Sequence, residues 1–286
     1  MKRSDRPPAI VADPDEELYI YYLKGRVAPG IDLSAPGFIG NWEEDGFSFL
    51  FYTRACRKRI AALLAAQPQL EMIDAYRMNY AEWLGERPVS YSVGRFDIVP
   101  VWETERLERD AEGGLNRLVL DPGVVFGSGT HATTRACLCA LETVYTEERP
   151  QAVIDLGTGT GVLALAATAL GSRLTLAVDS NLLAVRTAAR NFRMNGMADR
   201  ILAVQGRAEA FIENPADLLV ANIHYDVMRL LVMSTGFLQK KWFILSGLMR
   251  SQAGAITEQL HRVGSIVRQQ WIGAGLWHTF LGMNPQ

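Results

Sequence analysis

The sequence predicts an α/β fold: a seven-stranded, mostly parallel sheet whose last strand is antiparallel, preceded by a small α+β domain. Three observations carry this. From Ala152 onward, short apolar runs rich in Val, Ile and Leu alternate with helix-forming segments. The first such run leads into Asp155-Leu156-Gly157-Thr158-Gly159-Thr160-Gly161, a glycine-rich strand-to-helix turn. The chain then closes on two strand-like runs around Gly273-Ala274-Gly275, the pattern of a hairpin.

The chain has 286 residues, enough for one large or two modest domains with an unstapled core. Hydrophobic residues make up 49% and charged residues 21%, which is ordinary for a soluble globular protein. A net charge of −2 gives no broad attraction to nucleic acid or anionic membrane. There is no apolar run of membrane-spanning length, and Met1 to Glu17 lacks the apolar stretch of a signal peptide. Cys56, Cys137 and Cys139 read as free thiols in a reducing cytoplasm, and four scattered histidines give no zinc site.

In the N-terminal part, Leu18 to Leu23 is a strand. Phe38 to Trp42 and Phe47 to Thr53 flank Asp45-Gly46, a hairpin signal. Pro29, Gly30, Pro36 and Gly37 argue against a long helix across Arg26 to Gly37. Arg54 to Gln67 is a helix carrying the basic cluster Arg54, Arg57, Lys58 and Arg59, and Glu71 to Asn79 is a further strand. The domain is expected over 1–80. Residues 81–120 form a linker with edge strands: Pro100 puts Arg95 to Trp102 at an edge, and Glu103 to Gly114 is an exposed loop or short helix. Asp121-Pro122-Gly123 is a turn. Phe126 to Thr130 is a glycine loop fit to fold over a ligand, followed by a helix over Ala132 to Tyr145 capped near Thr130 or His131.

The main domain is expected over 121–286. Ala152 to Ile154 is a strand and Val162 to Leu170 a helix. Arg173 to Val178 is a strand ending at Asp179. That acid sits where a doubly wound fold binds ribose hydroxyls, although Asp179 or Ser180 also fits the start of the next helix. Asn181 to Asn195 is a helix. The strands Ile201 to Gln205, Asp217 to Ile223 and Trp242 to Ser246 follow, with helices over Tyr225 to Ser234 and Gln252 to Val263. The last strands are Ser265 to Ile272 and Leu276 to Met283. Ligands in such sheets lie at the carboxyl ends of the strands, where Gly157, Asp179 and Asn222 fall.

D-x-G-x-G-x-G departs from the dinucleotide spacing G-x-G-x-x-G and resembles the first motif of S-adenosylmethionine (SAM) methyltransferases. DPGVVFGSGTHATT, DLGTGTG, AVDSN, VANI and FILSG, in that order, resemble the PrmA-type ribosomal-protein methyltransferases from about Arg95 to Gln286. The resemblance implies a seven-stranded Rossmann-like SAM methyltransferase fold that methylates amino groups, lysine included, of a ribosomal protein. It implies SAM as cofactor, a protein partner, no direct nucleic-acid or membrane partner, and a cytoplasmic location. Of the cofactor residues, the resemblance implies Thr134, Gly157, Asp179 and Asn222, with Phe126, Gly127 and Thr130 in the covering loop; the glycine motif adds Asp155, Gly159 and Gly161, and the strand end adds Ser180. Asn222, Ile223 and Tyr225 are the expected catalytic set.

Two features depart from the family pattern. Arg26 to Gly37 replaces the first helix of a ferredoxin-like substrate-gripping domain. Asn222-Ile223-His224-Tyr225 stands where the family has Asn-Ile-Leu-Ala, and its Asn and Tyr, three apart, resemble Asn-Pro-Pro-Tyr of enzymes acting on glutamine amides or adenine amines. A glutamine amide or another protein lysine is thus an alternative acceptor. A non-catalytic SAM-binding scaffold and, on the glycine spacing least of all, a nicotinamide oxidoreductase are the other readings.

Overall fold

A computed structural model describes residues 13–33, 35–85, 87–103, 114–125, 127 and 129–285. The chain divides into two compact units, Ala9–Pro88 and a larger one made chiefly of Val89–Gln286.

The smaller unit is an antiparallel sheet backed by a helix. Its strands are β1 (Glu17–Lys24), β2 (Phe38–Glu44), β3 (Phe47–Tyr52) and β4 (Glu71–Asn79), in the order β2-β3-β1-β4. Asp45 and Gly46 both take positive φ, 49° and 84°, and so turn β2 into β3 as the hairpin signal requires. Helix α1 (Arg57–Ala66) lays Ile60 and Leu63 against Tyr21, Leu23, Leu50 and Tyr52. A short helix, α2 (Tyr80–Leu84), was not foreseen. Asn79 and Glu82 form a reciprocal capping box at its start.

The larger unit opens with a three-stranded sheet, β5 (Tyr91–Val93), β6 (Phe96–Pro100) and β7 (Asn116–Leu120), in that order. Here the sequence expectation fails: Pro100 does not mark an edge, because β6 is the middle strand. Its missing N–H is tolerated as the last residue of the strand, and the next amide, Val101, resumes bonding to Leu120 O at 2.8 Å. Asp97, buried in β6, is held by Arg117 of β7 at 3.0 Å. Most of the loop expected over Glu103 to Gly114 lies outside the described residues.

Next come α3 (Ala132–Glu147), β8 (Ala152–Leu156), α4 (Val162–Leu170), β9 (Leu174–Asp179), α5 (Leu182–Met194), β10 (Ile201–Gln205) and α6 (Ala208–Phe211). They are followed by β11 (Leu218–Asn222), α7 (Tyr225–Leu231), α8 (Thr235–Leu238), β12 (Trp242–Met249), α9 (Arg250–Arg262), β13 (Ile266–Gly273) and β14 (Trp277–Met283). The seven strands run β10-β9-β8-β11-β12-β14-β13, and only β14 opposes its neighbours. This is the α/β sheet with an antiparallel last strand that the alternation predicted.

Strand alternation sorts the core into two layers. Val153, Val220 and Ile244 pack with Cys137, Leu141 and Leu165 on one face, while Ile154, Leu219 and Phe243 pack with Met228, Leu231 and Ile256 on the other. The chain leaves β8 toward β9 on one side, and β11 lies on the other. The carboxyl end of β8 is therefore the switch point where a crevice opens. Among the described residues no helix is long and apolar enough to cross a membrane.

Candidate active site

The glycine turn occupies that switch point. Gly157, Gly159 and Gly161 have φ of 75°, 55° and 85°. The amides of Gly157 and Thr158 both donate to Val178 O of β9, at 2.8 and 3.0 Å, and pin the turn to the neighbouring strand. Two of the glycines are also required by crowding. A Cβ at 157 would lie 2.2 Å from Ile223 Cγ2, and one at 161 would lie 2.4 Å from the Phe192 ring. Gly161 starts α4 with no side-chain cap, so the first amides of that helix keep their affinity for an anion.

Two carboxyl groups meet the turn from below. Asp179, at the end of β9, accepts the Gly159 N–H on Oδ2 at 3.0 Å and the Asn181 N–H on Oδ1 at 2.9 Å. Burial pushes its carboxyl up, and these two bonds pull it back. The following helix is capped by Asn181, not by Asp179 or Ser180, so Asp179 is spared the capping role. Ser180 is exposed, and its carbonyl accepts from Gln205 Nε2 at 3.2 Å. Asp155 is 1% exposed. Its Oδ2 accepts the Thr158 hydroxyl at 2.6 Å, while Oδ1 is buried without a hydrogen-bond partner. Burial pushes this carboxyl up to about 7; the Asp179 charge adds to the rise, and the Thr158 hydroxyl opposes it.

The segment before α3 is tied to the same turn. Thr160 Oγ1 donates to Gly127 O at 2.5 Å. Asn191 Nδ2 donates to both Thr160 O, at 2.8 Å, and Asp121 O, at 3.0 Å. Gly129 O accepts the Tyr91 hydroxyl. Thr130 O accepts from Arg135 Nε at 3.2 Å, and the Arg135 guanidinium lies 3.9 Å over the Tyr91 ring. Phe126, expected in the covering segment, lies outside the described residues.

On the other side of the crevice, Asn222 ends β11. Its Nδ2 donates to Thr133 Oγ1 at 3.1 Å. Its Oδ1 and the Ile223 carbonyl converge: a Cβ at Gly247 would lie 3.1 Å from the first and 2.9 Å from the second. Tyr225 is half-buried at the first residue of α7 and packs with Ile223 against the apolar layer beneath. His224 beside it is exposed.

The family described as ribosomal protein L11 methyltransferase (PrmA) matches residues 61–282. The chain belongs to this family. A PrmA relative from Enterococcus faecalis, named ribosomal protein L11 methyltransferase, is 36% identical over 191 residues, or 66% of this chain and 59% of its own length. One of the same name from Pelotomaculum thermopropionicum is 42% identical over 176 residues, 60% of this chain and 55% of its own length. The matched stretches therefore span between half and two thirds of these relatives. A solved structure titled ribosomal protein L11 methylase, from Lactobacillus delbrueckii subsp. bulgaricus, superposes with a TM-score of 0.59 at 25% identity, covering 69% of this chain and 100% of that one.

Within this PrmA chain the structure brings together Gly127, Asp155, Gly157, Gly159, Gly161, Asp179, Asn222 and Ile223 through direct bonds or contacts around the end of β8. Thr134 is buried in the first turn of α3, but the hydroxyl that touches Asn222 belongs to Thr133. Thr133, Thr158 and Thr160, whose hydroxyls bond Asn222, Asp155 and Gly127, join this cluster and were passed over in the sequence. Thr158 and Thr160 were legible: an alternating Gly-Thr turn supplies hydroxyls as well as flexible backbone.

Proposed function

We propose that this chain is a SAM-dependent N-methyltransferase acting on amino groups, lysine amines among them, of a ribosomal protein, with L11 the acceptor that its relatives' names indicate. One observation carries the reading. In a chain of the PrmA family, the Gly157–Gly161 amides, the Asp179 carboxylate and the acceptor pair of Asn222 Oδ1 and Ile223 O gather around one switch point.

The residues fit a nucleoside sulfonium ligand. A turn of three glycines at positive φ, a carboxylate fixed by two amides and a buried carboxyl oxygen with no partner are all present. SAM supplies, when bound, a methyl group on a strongly electrophilic sulfonium. In this reading Gly157, Gly159 and Gly161 wrap the methionine part, with Asp155 beneath them. Asp179 and Ser180 lie along the ribose. Gly127 and Thr130 belong to the glycine loop read as covering the cofactor, and Thr134 helps hold its amino-acid end. Asn222 Oδ1 and Ile223 O accept N–H bonds from the incoming amine and aim its lone pair. Apolar surroundings from Ile223 and Tyr225 favour the neutral, nucleophilic amine over the ammonium ion. A ribosomal-protein acceptor is consistent with a cytoplasmic enzyme.

The spacing of Asn222 and Tyr225 supports a second acceptor, a glutamine amide, whose planar group suits stacking on a tyrosine. Incubating the purified chain with isotopically labelled SAM and purified L11, then mapping the label by mass spectrometry, separates the two. Label on L11 amino groups is expected. Label on a glutamine selects the second reading, and no transfer to L11 refutes the first.

A further inference from the structure

We propose that His131 and Thr133 are positioning residues that fix which end of the Asn222 amide faces the methyl acceptor. The inference rests on the reading of Asn222 as the residue that aims the amine, and deepens it.

Thr133 Oγ1 lies between two partners, His131 Nδ1 at 2.8 Å and Asn222 Nδ2 at 3.1 Å. A hydroxyl has one proton to give. His131 is the N-cap of α3, and its Nδ1 also receives the Thr133 backbone N–H at 3.3 Å. A ring nitrogen that accepts an amide N–H carries no proton of its own, so the imidazole proton sits on Nε2. The nearer Thr133 hydroxyl then gives its proton to the same Nδ1 lone pair, shared with the longer amide bond, and only lone pairs are left toward Asn222. The amide must meet them with its NH2. Oδ1 is thereby turned to the side of the Ile223 carbonyl, and an ideal Cβ on Gly247 would be within 3.1 Å of both oxygens. The Trp277 ring meets the His131 ring at 71° and 5.3 Å and restricts its rotation.

The consequence is chemical. With the relay in place, an amine N–H meets two acceptors. With the amide turned over, it meets an NH2, donor against donor, and its lone pair is misaimed. His131 and Thr133 touch neither the acceptor nor the cofactor in this scheme; they act through Asn222.

The first test needs no turnover. Long-range proton–nitrogen NMR on the full-length protein reads the tautomer of each imidazole. With four histidines in the chain, a His131→Asn spectrum assigns the signal. A bare Nδ1 and a protonated Nε2 are expected; a protonated Nδ1 overturns the proposal. The second test is kinetic. Thr133→Val, which keeps the shape and loses the hydroxyl, should lower kcat on L11 about tenfold, the effect of about one hydrogen bond of orientation. The SAM dissociation constant should stay within about twofold, and Thr133→Ser should recover most of the loss. Wild-type kcat in Thr133→Val overturns the relay while leaving the methyltransferase reading standing. Unimpaired turnover in Asn222→Ala defeats the role of Asn222 and the relay with it. If the wild type fails to methylate L11, the acceptor reading falls, and the tautomer still decides whether the relay exists.

Discussion

Replacing Gly157 by alanine isolates the central packing demand of the site. Two costs are separable. The backbone has φ of 75° there, a left-handed conformation that costs an L-residue about 1–2 kcal/mol. The new Cβ would also stand 2.2 Å from Ile223 Cγ2, far inside contact distance. Overpacking of this kind costs about 1–3 kcal/mol after the neighbours shift. The total is about 2–5 kcal/mol. Gly196 is the control: its φ is 67°, but a Cβ there meets nothing within 4 Å, so Gly196→Ala should cost only the backbone share. Denaturant titration followed by tryptophan fluorescence gives both values. A double-mutant cycle with Ile223→Ala then extracts the collision, which should appear as about 1–3 kcal/mol of relief in the double variant. Equal losses for Gly157→Ala and Gly196→Ala, with no coupling to Ile223, would refute the claim that Ile223 is seated in the space a side chain at 157 would need.

Asp179→Ala should weaken SAM binding by about 1–3 kcal/mol, because it removes a charged hydrogen-bonding group and frees the Gly159 amide it holds; unchanged affinity by calorimetry takes Asp179 out of the site. The Asp155 carboxyl rises from 3.8 unfolded to about 7 folded, so the stability it contributes is full below about pH 4 and is lost as pH climbs to about 7, up to about 4 kcal/mol in all. Asp155→Asn should flatten that fall between pH 4 and 7, and denaturation curves with an unaltered pH slope would count against a protonated carboxyl. Lys240 is fully buried, and its Nζ donates to Ile212 O and Gly236 O, each at 2.7 Å, so Lys240→Met should cost about 2–4 kcal/mol by stranding two carbonyls. A loss under about 0.5 kcal/mol in the same titration would show that water replaces the ammonium.

What was legible in the sequence was what neighbouring residues decide among themselves. β8, its glycine turn and α4 follow from a β-branched run, a spacing of small residues and an Ala/Leu stretch, all within Ala152 to Leu170. The Asp45-Gly46 hairpin and the closing β13–β14 pair are local in the same sense. What was missed depends on partners distant in sequence or on the phase of a helix. Thr133 and Thr134 are adjacent, and one residue along a helix is a rotation of about 100°. Which hydroxyl meets Asn222 was therefore settled only once α3 was seen to start from His131. Pro100 was assigned an edge by a rule sound for strand interiors; the partners that make β6 central lie at 91–93 and 116–120. The capping box of Asn79 and Glu82 was written in the sequence as N-x-x-E and overlooked because it overlaps the end of β4.

Asn191, in the last turn of α5, and Asn195, its C-cap, show how the site is held without belonging to its chemistry. β7 is the outer strand of its sheet and would leave its far edge unsatisfied. Asn195 accepts the Val119 N–H at 2.9 Å and returns a bond to Val119 O at 2.8 Å. Asn191, one helical turn earlier, does the same for Asp121, accepting its N–H at 2.9 Å and donating to its carbonyl at 3.0 Å. Side-chain amides four apart on a helix thus pair with backbone amides two apart on a strand, because the helix rises about 6 Å over four residues and the strand about 6.6 Å over two. Asn191 spends its remaining N–H on Thr160 O, inside the glycine turn. One helix thereby sets the distance between the turn and the segment that leads to Gly127. The Arg190–Asp121 pair at 3.3 Å, with Asp121 fully buried, makes that spacing costly to change. A buried asparagine is tolerated here because three bonds satisfy its oxygen and both its hydrogens.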